Sequence, residues 1–101
     1  MPNLSSTAIN FNATGDTTLV TGVAGQIISV FQLFLVVSAT TALTFKDGTT
    51  ALTGAMSMSA NGSIFLHYDT TPWFFAGAGN NFVLNQFASA QISGRIYYVQ
   101  R

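Results

Sequence analysis

The eleven residues from Ile27 to Val37, Ile-Ile-Ser-Val-Phe-Gln-Leu-Phe-Leu-Val-Val, limit what this chain can become more than any other stretch. At the two-residue period of a strand, one face carries Ile27, Ser29, Phe31, Leu33, Leu35 and Val37. The other carries Ile28, Val30, Gln32, Phe34 and Val36. Both faces are apolar. The β-branched and aromatic residues favour extended backbone, and the run is bounded by Gly25 and by Ser38, Thr40 and Thr41. A strand that is apolar on both faces must be covered on both. The bulkier side, Ile27, Phe31, Leu33, Leu35 and Val37, is expected in the chain's own core. The thinner side, Ile28, Val30, Phe34 and Val36 with Gln32 midway, is expected against another copy or another protein. That requirement points to assembly rather than chemistry.

Charge supports the same expectation. Only 6% of the 101 residues are charged, with three Lys or Arg, three acids and zero net charge, against about a quarter in ordinary domains. A surface with so little repulsion tends to associate. Lys46, Arg95 and Arg101 lie in separate segments, so no basic footprint for nucleic acid forms and none is expected as a partner. The chain has no Cys, which excludes a disulfide framework and thiolate zinc sites. Its length fits one domain. Met-Pro-Asn-Leu-Ser-Ser has no basic n-region, so a signal peptide is not expected. The uncharged window from Ile27 to Phe45 approaches the length of a membrane span. Ser29, Gln32, Ser38, Thr40, Thr41 and Thr44 interrupt it, and strand formers dominate, so no membrane partner is expected either.

In chain order, residues 1–7 read as a polar N-terminal arm and residues 8–101 as the folded domain. Ala8 to Phe11 alternates as a short edge strand, Asn12 to Asp16 turns, and Thr17 to Val23 is a second strand. After the central run, Leu43 and Phe45 alternate with Thr44 and Lys46. Asp47-Gly48 then signals a hairpin of type I′, which needs positive φ at both central residues. The return strand carries Leu52, Gly54, Met56 and Met58 on one face, and Asn61-Gly62 signals a second hairpin into Ser63–Tyr68. These segments are expected to form a meander of three consecutive antiparallel strands. Pro72 closes the third, Phe82 to Leu84 begins another, and Ala90 to Val99 is the last. No useful length shows helical period, and turn signals recur about every ten residues. The expected fold is a single all-β antiparallel sandwich, jelly-roll-like, with about eight strands.

The ionisable inventory leaves little room for catalysis, and the chain is expected not to be an enzyme and to need no metal or cofactor. Asp16 and Asp47 sit in turns, where Asp serves the backbone. His67 and Asp69 share one face of a strand, a metal or dyad spacing. The simpler expectation is a strand-end His beside a turn-capping Asp. No Gly-x-Ser-x-Gly elbow occurs, and Gly77 and Gly79 precede neither a helix nor a Lys. Trp73, Phe74 and Phe75 form either a plug over one end of the sandwich or an exposed patch that anchors a partner or stacks on sugar. Arg95, within a strand, is expected to pair with an Asp or cap carbonyls at a subunit contact.

Phe45-Lys-Asp-Gly-Thr through Leu52-Thr-Gly, Ser59-Ala-Asn-Gly-Ser-Ile, Pro72-Trp-Phe and Ile92-Ser-Gly-Arg-Ile-Tyr-Tyr together give a pattern over residues 26–101. It resembles small all-β virion proteins and fibre modules of tailed bacteriophages. The resemblance implies a structural place in the virion, as a capsid decoration (cement) protein or as part of a tail or fibre. With the quasi-threefold sites of capsids, it further implies a homotrimer seated on a major capsid protein or another virion protein. The pattern carries no catalytic residues to transfer.

Overall fold

The computed structural model describes residues 4–101. Ten strands follow one another: β1 (Ser5–Phe11), β2 (Gly15–Val20), β3 (Ile28–Val37), β4 (Thr41–Asp47), β5 (Thr50–Ala51), β6 (Met56–Met58), β7 (Ser63–Leu66), β8 (Phe74–Ala76), β9 (Phe82–Gln86) and β10 (Ile92–Gln100). They form two antiparallel sheets. Sheet I runs β1-β10-β3, and the outer flank of β3 is shared end to end by β7 and β8. Sheet II runs β2-β9-β4, and the outer flank of β4 is shared by β5 and β6. Each shared flank amounts to one interrupted strand, so both sheets have four positions. The chain alternates between the sheets except at the β4–β5 hairpin and the two interruptions. This is the double-sheet order of a jelly roll, and the all-β sandwich is therefore seen directly.

The β3 run supplies the centre of sheet I and shows one departure from simple alternation. Tyr97 pairs with Gln32 but Tyr98 pairs with Val30, so Phe31 is an extra residue, a β-bulge. The bulge reverses the parity of β3. Leu33, Leu35 and Val37 point into the core after it, while Ile28 and Val30 point into the core before it, both at 0% exposure. The expected assignment of Ile28 and Val30 to a contact surface is thus corrected: an uninterrupted count carried them to the wrong side. Phe34 and Val36 do face outward. Ile27 is exposed and Phe31 half-buried, so neither is the core residue that the count implied.

Opposite this run, Leu43 and Phe45 of β4 and Phe82 and Leu84 of β9 complete the core from sheet II. Phe45 stacks on Phe82 at 5.7 Å between ring centroids, and Phe74 lies 4.9 Å from Phe45. Gln86 is buried among them yet fully engaged. Its Nε2 donates to the carbonyls of Ala13 (3.0 Å) and Ala90 (2.9 Å), and its Oε1 accepts from Ala90 N and Thr41 Oγ1, both at 3.2 Å. A buried amide with partners on every side costs little and ties the β1–β2 and β9–β10 connections to one end of the barrel-like core.

Two expectations about turns change. The β4–β5 loop is Gly48-Thr49, because Asp47 itself pairs with Thr50. Only Gly48 has positive φ, at 59°, which matches a II′ rather than a I′ loop. Asn61 (φ 66°), not Gly62, takes the left-handed residue of the second turn. That turn does not extend a meander. It crosses between sheets, because β6 already occupies the β4 flank and β7 pairs with β3 instead. Val37 accepts from Asn61 N and donates to Gly62 O, which docks the crossover on β3. Gly48→Val is expected to lower stability by about 1–3 kcal/mol, since a β-branched residue is strained at that φ. Unchanged chemical denaturation of this variant would contradict the turn.

The N-terminal boundary also moves. Ser5, Ser6 and Thr7, expected in the arm, pair with Tyr98, Tyr97 and Ile96 in β1. Residues 1–3 of that arm lie outside the described residues. No helix among the described residues is long and apolar enough to cross a membrane; the window from Ile27 to Phe45 is the β3–β4 pair of strands with its connection.

Candidate functional site: the outer face of sheet I

The two sheets present opposite surfaces. The outer face of sheet II is mostly polar: Asp16, Thr18, Thr44, Lys46 and Asn85 stand on it around the largely covered Val83, by the register of β2, β9 and β4. Asn85 Nδ2 donates to Asp16 at 2.7 Å, and Lys46 Nζ reaches both Asp16 oxygens at 3.1 and 3.0 Å. The hydrogen bond from Asn85 and the Lys46 ammonium hold the Asp16 carboxyl below the usual carboxylate value. Asp16, Lys46 and Asn85 thus satisfy one another on this face.

The outer face of sheet I is different, and the register places its side chains row by row. Val36 stands between Ser93 and Ser63. In the next row, Ala8, Arg95, Phe34 and Phe65 follow one another across β1, β10, β3 and β7. Ser6, Tyr97 and Gln32 form a third row, and Val99, Ser29 and Phe75 a fourth. Phe34 and Phe65 stack at 6.4 Å, and His67 lies 4.5 Å from Phe65. The bulged Phe31 stacks on Tyr68 at 5.9 Å. Phe65 is 57% exposed, Phe75 54% and Val36 45%. An apolar field of this kind on one face of a sheet is uncommon on a lone soluble domain.

Of the aromatic triplet, two members share this side and one does not. Trp73 is fixed at the margin of the field: its main-chain N–H donates to Val30 O (2.8 Å) and its Nε1 to His67 O (2.7 Å). Trp73 and Phe75 remain exposed. Phe74 turns inward against Phe45 and Phe82, so it is the plug and its neighbours are the patch. The expectation that Phe74 contributes to a contact surface is corrected accordingly. Alternation along β8 separates Phe74 from Phe75, and the two hydrogen bonds of Trp73 fix it just before that strand.

Arg95 lies in the row of Phe34, with Nε donating to Ser6 Oγ at 3.2 Å. Among the described residues the one ion pair is Lys46–Asp16, and no carboxylate there pairs with Arg95. His67 and Asp69 lie beyond the end of β7, both exposed. Asp69 Oδ1 accepts from Thr70 N at 2.7 Å, a turn cap. No group of three His, Cys, Asp or Glu gathers at metal-holding range among the described residues, and no concave pocket is found there.

Phe65, Tyr68 and Tyr97 belong to the field and were not singled out by sequence reasoning, and Ile27, expected in the core, belongs to it too. Alternation within Ser63–Tyr68 put Phe65 and His67 on one face, but only the pairing of β7 with β3 sets that face beside Phe34. Comparison with protein-family models, with curated proteins and with solved structures finds no match.

Proposed function

We propose that this chain is a non-enzymatic structural protein of a bacteriophage particle, a capsid decoration protein that stabilises the head as a homo-oligomer seated on the major capsid protein. The observation that carries the reading is the contrast between the two outer faces, one polar and self-satisfied, the other an apolar field that needs cover. The jelly-roll order adds weight by analogy, since viral capsid domains use that architecture. The turn and closing-strand pattern of residues 26–101 points the same way. Its place is then the virion, reached by assembly in the host cytoplasm.

The test uses the purified chain and expanded heads that lack a decoration protein. The expected result is saturable co-sedimentation, with a rise in the temperature at which the heads come apart. Heads that bind none of the chain at micromolar concentration would remove this reading.

A tail or fibre component that binds a host surface glycan is the second reading, favoured by the exposed rings of Trp73 and Phe75. Flat aromatic faces suit the apolar side of a sugar ring. Binding to host cells that is lost on Trp73→Ala, without any binding to heads, would select it.

A further inference from the structure

We infer that the apolar field of sheet I is covered by the same field of another copy of this chain, and that Arg95 of one copy pairs with Asp69 of the next. The inference rests on the homo-oligomeric part of the reading above and not on the identity of the particle.

The first support is area. Phe34, Phe65, Phe75, Trp73 and Tyr68, with Ile27 and Val36, are each between 37% and 57% exposed. At roughly 100 Å² for a half-exposed aromatic ring, they leave on the order of 600 Å² of apolar side chain in water. With the intervening Gln32, Ser29 and Tyr97, the field approaches the ~800 Å² per partner of a specific interface.

The second support is charge. The chain carries three cationic side chains and three carboxylates. Lys46 and Asp16 neutralise each other on sheet II, and Asp47 is held by Gly77 N (3.1 Å) and Asn80 Nδ2 (2.9 Å). Arg95, Arg101 and Asp69 remain, and of these Arg95 on β10 and Asp69 in the β7–β8 connection lie to opposite sides of β3. Only Nε of Arg95 is engaged among the described residues, through Ser6, so its two Nη groups are open. Asp69 uses Oδ1 for Thr70, and its Oδ2 has no partner among the described residues. A partner carrying a cation on one side of its β3 and a carboxylate on the other is complementary to this surface, and a second copy is such a partner. Ion pairs at the rim of an apolar contact fix orientation and register.

The experiment is a charge swap read by light scattering and sedimentation on the purified full chain, with no capsid present. Wild type is expected to be oligomeric at micromolar concentration. Arg95→Asp and Asp69→Arg each bring like charges together and are expected to weaken association by on the order of 30-fold or more. The double variant restores the opposite pairing and is expected to regain most of the wild-type mass. Circular dichroism of all four proteins at a common concentration confirms that the fold is retained. A monomeric wild type overturns the inference, as do single variants that associate normally or a double variant that stays dissociated. An oligomer that behaves as expected but binds no heads would refute the decoration reading alone.

Discussion

Lysine at position 35 is expected to abolish folding, whereas lysine at position 36 is expected to leave a folded monomer. The two residues are neighbours on β3, yet Leu35 is 1% exposed and Val36 is 45% exposed. Leu35 packs between the sheets and pairs with Gly94 and Ile64. Leu35→Lys removes core packing at a cost of about 2–5 kcal/mol. It also buries an ammonium with no partner, at a cost of several kcal/mol more. Against a total stability of about 5–15 kcal/mol for a domain of this kind, that is enough to unfold it. Val36→Lys changes an outward side chain, where the expected effect on the isolated fold is within about 0.5 kcal/mol. Its charge would stand in the row above Phe34 and Phe65 and oppose cover of the apolar field. Circular dichroism and light scattering separate the two outcomes. A Val36→Lys chain that unfolds would mean that the outer face of sheet I is part of a core, and a Val36→Lys chain that keeps its mass would mean that the contact lies elsewhere.

Gly94→Ala is the second large effect. Gly94 sits in the middle of β10, between Ile9 of β1 and Leu35 of β3. A Cβ there would run into the carbonyl oxygen of Phe34 and lie 2.7 Å from the Cα of Leu35. Both are main-chain atoms, so no rotamer change can relieve the clash. The two central strands of sheet I would have to part or slip, and a slip by one residue would turn every core side chain of β10 outward. A loss of about 3 kcal/mol or more is expected, at the upper end of overpacking costs because backbone must move. Gly54→Ala is the internal control. It has ordinary φ, is exposed, and has nothing within 4 Å of the added Cβ. It is expected to be neutral or stabilising by up to about 1 kcal/mol, through a less flexible unfolded chain. Similar urea midpoints for the two variants would contradict the register of β10 against β3.

The two-sided apolar run was sufficient to identify a central strand, because β-branched and aromatic residues on both faces of Ile27–Val37 favour an extended segment inside a sheet. The same local reasoning located most turns: Gly48 and Asn61 are at reversals because their backbone conformations are ones that few residues tolerate. The parity of β3 was out of reach. A bulge at Phe31 exists only through its pairing with Tyr97 and Tyr98, some 65 residues away, and nothing in Ile27–Val37 marks it. Ile28 and Val30 were therefore read as surface when they are core. Sheet membership was equally hidden. A turn at Asn61-Gly62 says that the chain reverses, but whether Ser63–Leu66 joins β4 or β3 depends on which ladder still has an open flank. The apolar field inherits that ignorance, since Phe34 on β3, Phe65 on β7 and Phe75 on β8 share one surface only because both short strands pair with β3. Sequence determined most of the elements, because these follow from interactions within a few residues. Tertiary structure decided which side chains share the exposed apolar face, because that follows from hydrogen-bonded register between segments far apart in the chain.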